Sequence, residues 1–295
     1  MTRAAAAVAA PARIAPYLEL AKPRIVAMVA ATAAAGYYMS APPAAWWPGL
    51  VHAMIGTALV AGGASALNQV AERDVDALML RTARRPLPSG RVSAAAAAVL
   101  AWACAAAGIA YLTLFTNVLT AALAAGTLAA YVGLYTPLKR LSPFALLVGA
   151  VPGALPIVGG WTASGAAIDA RALGLFAILF LWQVPHFLAL AWIYREDYAR
   201  AGLRVAGVGD ADGVRTFQRA AVGAAALIPV SLAPTVLGLA GPVYFFGAAV
   251  LSGWLAWAAA KSVRERSNGA ARRLFAASLV YLPALLALMT ADRAR

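Results

Sequence analysis

Apolar residues occur along the chain in long continuous runs that short polar stretches separate. A helix that crosses a bilayer needs about 20 mostly apolar residues, whereas strands of a membrane barrel alternate apolar and polar residues. The runs are rich in Ala and Leu and do not alternate, so the pattern predicts an all-α polytopic membrane protein. The nine predicted spans are 24–41, 48–68, 93–113, 117–136, 143–161, 172–193, 217–238, 241–260 and 274–291.

The composition agrees with this pattern. Hydrophobic residues make up 63% of the 295 residues and charged residues 12%, and the mean hydropathy is +0.77. Soluble domains average about 45–50% apolar and about 25% charged residues, so both a water-soluble globule and a disordered chain are excluded. The single cysteine, Cys104, cannot form an internal disulfide.

Basic residues concentrate on one side of the predicted spans. With the N-terminus in the cytoplasm, 21 of the 24 basic residues fall on the cytoplasmic side, as the positive-inside rule requires. The exceptions are Arg171, Arg293 and Arg295. We expect residues 1–16 to form a cytoplasmic tail and residues 17–295 a single membrane-embedded domain. The basic residues lie in short stretches without a continuous basic face, so nucleic acid is not expected as a partner.

The first acidic cluster lies at the cytoplasmic end of the second span. Asn68, Glu72 and Asp76 are spaced four residues apart, so on a helix their side chains line one stripe, while Asp74 points away. Two carboxylates on one stripe repel each other, and a divalent cation relieves that repulsion. Mg²⁺ takes oxygen ligands, typically one or two carboxylates together with substrate phosphates. The alternative is a solvated helix end whose acids are balanced by neighbouring arginines.

Arg81 and Arg85 follow this cluster directly. Guanidinium groups bind phosphate through two parallel hydrogen bonds. Acids that hold a metal, followed at once by arginines, therefore predict a site for a metal–diphosphate ligand.

Two further polar clusters lie on the same predicted face. Tyr194, Arg195 and Asp197 follow the sixth span, where Asp197 is a candidate metal ligand and Arg195 a candidate phosphate contact. Acids and bases that only solvate a helix end are the alternative. Lys139 and Arg140 add a basic site at the end of the fourth span. The four-span separation of the acidic clusters suggests two related halves around one central cavity that opens to the cytoplasm.

The run NQVAERDVDALMLRTARRPL at 68–87 resembles the signature of the UbiA-type membrane prenyltransferases. Its second half and the segments 17–26, 135–140 and 181–202 resemble the branch of that superfamily that acts on haem. The resemblance extends from about residue 17 into the seventh span. Two positions depart from the branch: Ala145 stands where Asn is expected, and Leu203–Ala206 replaces a Pro-Met-Leu-Pro stretch.

The resemblance implies a bundle of nine helices in the bacterial inner membrane, with its active site facing the cytoplasm. The implied reaction transfers a farnesyl group from farnesyl diphosphate to the 2-vinyl group of protohaem IX, giving haem O and pyrophosphate. Membrane lipid and a downstream haem-processing enzyme are the implied partners. The implied Mg²⁺ ligands are Asn68, Glu72, Asp76 and Asp197. The implied diphosphate contacts are Arg81, Arg85, Lys139, Arg140 and Arg195. The candidate haem-pocket residues are His186, Tyr135 and Tyr194.

Three alternatives stay open at this point. A prenyltransferase of the same fold that acts on an aromatic quinone precursor would share the metal site but not the acceptor. A secondary transporter would place its ionisable groups near the bilayer midplane, whereas these lie near helix ends. An intramembrane histidine suggests function, but His186 beside Pro185 is explained equally well by a hydrogen bond within the bundle.

Overall fold

A computed structural model describes residues 14–40 and 46–294. Residues 1–13, which form most of the predicted N-terminal tail, lie outside the described residues. Within the described ranges the regular structure is helical, apart from a single antiparallel bridge between Ala240 and Arg293. The all-α prediction is confirmed.

A π-helical segment, Ala130–Tyr135, joins the sixth and seventh α-helices. The α-helices are α1 (Ile14–Ala21), α2 (Pro23–Ser40), α3 (Trp46–Ala71), α4 (Arg73–Leu78), α5 (Ala94–Phe115), α6 (Val118–Ala129), α7 (Thr136–Leu138), α8 (Ala145–Ala163), α9 (Ala170–Ile193), α10 (Arg195–Arg200), α11 (Val214–Val236), α12 (Pro242–Glu265) and α13 (Asn268–Ala291).

Eight of the described helical segments are long and apolar enough to cross a membrane. They coincide with the second to ninth predicted spans, and α6, the π segment and α7 together form one of them, Val118–Leu138. The first predicted span corresponds to α2, which has 18 residues. It is less apolar than the other eight because it begins with Pro23 and Arg24 and carries two tyrosines near its end. The count of nine spans is therefore close to the structure but not confirmed.

Polar residues fix where several of these helices begin. Ser93, Asn117 and Ser267 each accept a hydrogen bond from the backbone N–H three residues later. The Asp169 carboxylate accepts hydrogen bonds from the backbone N–H groups of Arg171 and Ala172 in the same way. Such caps satisfy N–H groups that a helix leaves unpaired and stabilise it by about 1 kcal/mol each.

Two glycines allow α2 and α8 to cross in backbone contact. A Cβ added at Gly160 would lie 1.8 Å from the Ala33 carbonyl oxygen, and one at Gly36 would lie 2.0 Å from the Ile157 carbonyl oxygen. Small residues at such crossings let the backbones of membrane helices approach closely, which increases their packing contact. The crossing fixes the position of α2 against α8. It thereby also fixes the position of Lys22, which lies between α1 and α2.

Substituting Gly160 with alanine is expected to destabilise the bundle by about 3 kcal/mol or more, because the methyl group meets backbone rather than a movable side chain. Gly159→Ala is the matched control, since its added Cβ meets nothing within 4 Å. Thermal unfolding of both variants in detergent measures the difference. Equal unfolding temperatures would show that the crossing does not depend on Gly160.

The buried apolar side chains form two main cores. One lies among α8, α9, α11, α12 and α13 and contains the fully buried Trp161, Tyr244 and Tyr281. The other lies among α1, α3, α5 and α6. Because α2 and α8 pack on each other and on both groups, the two halves meet along them.

Candidate active site

The predicted stripe of oxygen donors exists and is buried. Asn68, Glu72 and Asp76 are 3%, 6% and 1% exposed. The helix α3 ends at Ala71, and Glu72 leaves helical geometry with φ −106° and ψ 9°. The hydrogen bonds nevertheless continue through the break, from Glu72 N to Asn68 O (3.0 Å) and from Asp76 N to Glu72 O (2.7 Å). The three side chains therefore stay on one face, turned into the protein.

Each carboxylate of the stripe is paired with a basic residue from another segment. The Lys139 ammonium lies 2.5 Å from Glu72 Oε1. One guanidinium nitrogen of Arg85, Nη1, donates to both Asp76 oxygens at 2.9 and 2.7 Å. Buried carboxylates need such partners, because an uncompensated buried charge costs several kcal/mol. Two of the residues predicted to bind metal thus form one cluster with two of those predicted to bind diphosphate.

A third cation, Lys22, enters the cluster from the junction between α1 and α2. Its Nζ lies 3.5 Å from Asn68 Oδ1. Burial, together with the charges of Arg85 and Lys139, lowers the pKa of Lys22 to about 8, while Glu72 and Asp76 act in the opposite direction. The backbone φ of Lys22 is +52°, in the left-handed region that a residue with a Cβ rarely adopts. This turn directs the ammonium group into the site.

The π segment supplies the other side of the cluster. Asn68 Nδ2 donates to Thr136 Oγ1 at 3.1 Å, and the Thr136 hydroxyl donates to the Tyr131 carbonyl at 2.8 Å. The Lys139 ammonium lies 4.7 Å from the centre of the Tyr135 ring. A π-helical turn inserts an extra residue into a helix and is frequent at functional sites. Here it positions Thr136 and Lys139 against the ends of α3 and α4.

The loop at 79–85 brings the second acidic cluster beside the first. The Leu80 N–H donates to Asp197 Oδ1 at 3.3 Å. The Arg81 guanidinium donates to the Tyr198 hydroxyl at 2.9 Å and lies 4.5 Å from the centre of the Tyr194 ring. Both clusters therefore occupy one end of the bundle, which we call the charged end, defined by Lys22, Glu72, Asp76, Arg85, Lys139 and Asp197.

The segment that departs from the haem-acting branch closes onto the site. Leu203 and Val205 are buried against Val75 and Met79, and the Arg204 N–H donates to the Lys139 carbonyl at 2.8 Å. In place of the expected prolines, this segment therefore has apolar side chains that pack against α4. The other departure, Ala145, is fully buried at the start of α8.

Three predicted site residues have partners away from the buried carboxylates. Arg140 pairs with the exposed Asp74 at 2.8 Å, and this hydrogen bond holds the pKa of Asp74 below its usual value. Arg195 donates to Asn268 Oδ1 at 2.7 Å and lies over the Trp192 ring. His186 lies within α9 against α13.

The stripe has the donor chemistry that a hard divalent cation requires. Within 14–40 and 46–294, no three His, Cys, Asp or Glu side chains converge as a metal site. Asp197 is held instead by Leu80 N and by the Arg200 guanidinium at 2.6 Å. The two carboxylates and the amide of the stripe fit a cation that completes its shell with phosphate oxygens.

Two residues of the cluster, Lys22 and Thr136, were not among the predicted site residues. Lys22 was visible only as part of the matching segment 17–26, and Thr136 only as part of the matching segment 135–140. Their convergence depends on the left-handed turn at Lys22 and on the π segment. Neither feature leaves a periodic pattern in the sequence.

Comparisons with known proteins identify the family of the chain. Residues 29–282 match the model of the UbiA prenyltransferase family. The protoheme IX farnesyltransferase of Solibacter usitatus is 43% identical over 286 residues, covering 94% of this chain and 98% of its own. That of an Anaeromyxobacter species is 46% identical over 275 residues, covering 91% and 90%.

Solved structures share the fold at low sequence identity. A digeranylgeranylglyceryl phosphate synthase structure superposes with a TM-score of 0.79 at 16% identity, covering 95% of this chain and 98% of its own. A UbiA homologue from Archaeoglobus fulgidus, bound to GPP and Mg²⁺, has a TM-score of 0.66 at 18% identity, covering 93% and 99%. The transporter alternative is therefore set aside. The chain is an integral membrane prenyltransferase that belongs to the UbiA prenyltransferase family.

Proposed function

We propose that this chain transfers a farnesyl group from farnesyl diphosphate to the 2-vinyl group of protohaem IX. The relatives named protoheme IX farnesyltransferase match nearly the full length of the chain, which supports both substrates. The observation that carries the proposal is the buried cluster in which two carboxylates and three cations share the charged end. Such a cluster suits a ligand that brings a metal ion and a diphosphate together.

The stripe of Asn68, Glu72 and Asp76 is the proposed Mg²⁺ site. The Archaeoglobus fulgidus homologue was solved with Mg²⁺ and GPP, and another structure of it with Cd²⁺. A bound Mg²⁺ would neutralise negative charge on the diphosphate oxygens. We also assign Asp197, which lies against the 79–85 loop, to the binding of the same magnesium diphosphate headgroup.

The cations of the cluster bind the diphosphate and stabilise it as it leaves. Arg85 and Lys139, now paired with carboxylates, and Lys22 present N–H donors from three different segments. As the C1–O bond of the substrate breaks, the electron pair moves to the leaving oxygen, and fixed positive groups there lower the barrier. Arg81, Arg140 and Arg195 are assigned to the outer part of the same headgroup site.

An apolar cavity below the stripe is the proposed place of the farnesyl chain. It is lined by residues of α2, α3, α5, α6 and α8, including Ala64, one turn before Asn68. Pro156 and Gly159 of α8 leave room for it. Apolar walls keep water from the allylic cation that forms when the diphosphate leaves.

Filling this cavity is expected to block the long prenyl substrate. Ala124 lines it, so Ala124→Phe should lower farnesyl transfer by about 10-fold or more, because the ring takes space that the chain needs. Ala122→Phe is the control, since Ala122 is exposed on the same helix. Initial rates with farnesyl diphosphate measure both variants. Normal rates for Ala124→Phe would contradict the assignment of the cavity.

The second step joins the farnesyl group to the haem. Farnesyl C1 forms a bond to the outer carbon of the haem vinyl group, water adds to the inner carbon, and a proton is lost to solvent. The product is haem O, and pyrophosphate is released. His186, Tyr135 and Tyr194 are the proposed haem-pocket residues.

The test is an assay with purified protein, haem, farnesyl diphosphate and Mg²⁺. The expected product is haem that has gained one hydroxyfarnesyl unit by mass, formed only when farnesyl diphosphate is present. A parallel reaction offers 4-hydroxybenzoate as the acceptor. Prenylation of the benzoate with none of the haem would replace this proposal with the quinone-precursor alternative.

We further propose that the protein lies in the bacterial inner membrane with its charged end in the cytoplasm. The excess of basic residues at that end supports this orientation. The substrates then meet the protein from the cytoplasm and from membrane lipid. The added farnesyl chain makes haem O more apolar than protohaem, which suits direct transfer within the membrane to a downstream haem-processing enzyme.

A further inference from the structure

His186 of α9 is held by a single hydrogen bond whose direction can be assigned. Its Nδ1 lies 2.9 Å from Ser278 Oγ on α13. The Ser278 hydroxyl also lies 2.6 Å from the Phe275 carbonyl oxygen. A carbonyl only accepts hydrogen bonds, so the one hydroxyl hydrogen is committed there, and Ser278 Oγ accepts from His186 Nδ1–H. A neutral imidazole protonated at Nδ1 carries its lone pair on Nε2.

The other ring nitrogen, Nε2, is free and reachable. No described residue hydrogen-bonds to it. Within the described ranges, Trp192 Nε1 is the only fully enclosed side-chain nitrogen or oxygen without a partner. His186 Nε2 therefore keeps accessible surface. A fixed ring with an open lone pair is the arrangement of a metal ligand, because the hydrogen bond at the opposite nitrogen sets both tautomer and orientation.

The surroundings of this ring suit a flat aromatic macrocycle. The centres of the Trp182 and Phe275 rings each lie 4.8 Å from that of His186, and that of Phe187 lies 5.4 Å away. The Trp182 indole donates to the Ser278 carbonyl at 2.7 Å, so Ser278 holds both neighbouring rings. Among the described residues, no carboxylate pairs with the imidazole. The site offers one nitrogen ligand within an aromatic wall.

We propose that His186 Nε2 is an axial ligand of the iron in the haem substrate and that Ser278 positions the ring. This inference rests on the proposed function, since it needs haem as the acceptor. Imidazole nitrogen is a common axial ligand of haem iron. The ligand lies seven residues before the end of α9, about 10 Å of helix, and so holds the macrocycle within the bundle.

The experiment compares three variants of the full-length protein in detergent, titrated with haem and followed by the Soret absorbance. His186→Leu should lose the spectrum of nitrogen-ligated haem and weaken haem binding by about 10-fold or more. His186→Met should keep an axial ligand with a shifted spectrum, because a thioether also ligates haem iron. His52→Leu is the control, since His52 is the only other histidine and contacts Tyr111 at 2.8 Å.

A wild-type spectrum in both His186 variants would overturn the proposal. Ser278→Ala keeps the ring and gives a second test if His186→Leu does not fold. It should shift the Soret band and the haem reduction potential, which a purely structural role would leave unchanged, and an unshifted spectrum there would also overturn the proposal. Farnesyl transfer by the wild-type protein is measured in parallel. Farnesyl transfer without a histidine-dependent spectrum would contradict only the assignment of His186 as the iron ligand. Absence of farnesyl transfer with haem still bound would contradict the proposed function.

Discussion

Replacing Asp76 with asparagine should lower farnesyl transfer by about 100-fold or more, which is the effect of removing one preorganised electrostatic group from a reacting site. The change keeps the shape of the side chain but removes a charge from the stripe that we assign to Mg²⁺. It also leaves the Arg85 guanidinium without its carboxylate, which is 1% exposed in the structure. Steady-state rates over a range of Mg²⁺ concentrations measure the effect, and added Mg²⁺ should not restore the wild-type rate.

Asp74→Asn is the matched control for Asp76→Asn. Both acids lie on α4, but the Asp74 carboxylate is 62% exposed and pairs with Arg140 at the surface. Surface ion pairs contribute about 0–1 kcal/mol, so this variant should keep normal turnover and stability. Size-exclusion profiles and unfolding temperatures separate loss of chemistry from loss of fold. Normal turnover in a folded Asp76→Asn protein would contradict the assignment of the stripe as a metal site.

Substituting Arg85 with alanine should raise the KM for farnesyl diphosphate and lower kcat, together by about 100-fold in kcat/KM. The guanidinium contacts both oxygens of Asp76, and its loss leaves that carboxylate buried without a counter-charge. Arg85→Lys should recover part of the rate, since it restores a positive charge but not the two-pronged geometry. Rates measured against farnesyl diphosphate concentration separate binding from turnover.

Arg84→Ala is the control for Arg85→Ala. Arg84 is the preceding residue, is exposed and makes no side-chain hydrogen bond or ion pair with any residue that the structure describes. The two variants therefore remove the same charge from the chain, but only one removes it from the site. Equal losses would mean that the overall positive field draws in the diphosphate, and that Arg85 has no contact role.

The helices and the acidic stripe were predictable because they follow local periodicities. Continuous apolar runs located eight spans to within three residues of their ends, with two exceptions. The eighth predicted span ends five residues later than predicted, at Glu265, and the ninth starts six residues earlier, at Asn268. The i, i+4 spacing placed Asn68, Glu72 and Asp76 on one face, and this holds even though Glu72 interrupts the helix. Hydrogen bonds that continue across the break preserve the spacing.

The partners of those acids were only partly predictable, because tertiary geometry selects among similar residues. Lys139 and Arg140 are adjacent in sequence, yet Lys139 reaches the buried Glu72 and Arg140 reaches the exposed Asp74. Which neighbour turns inward depends on the π segment, which shifts the helix register just before them. Lys22 joins the site through a backbone conformation unusual for lysine, which no propensity favours.

The pairing of each buried carboxylate with its own cation has a consequence for how the site fills. The cluster does not repel itself, since Lys139 and Arg85 act as internal counter-ions for Glu72 and Asp76. Under the proposed assignment, the acids would turn to the metal of an incoming magnesium diphosphate and the bases to its phosphates. Substrate binding would then exchange one set of ion pairs for another instead of adding new ones.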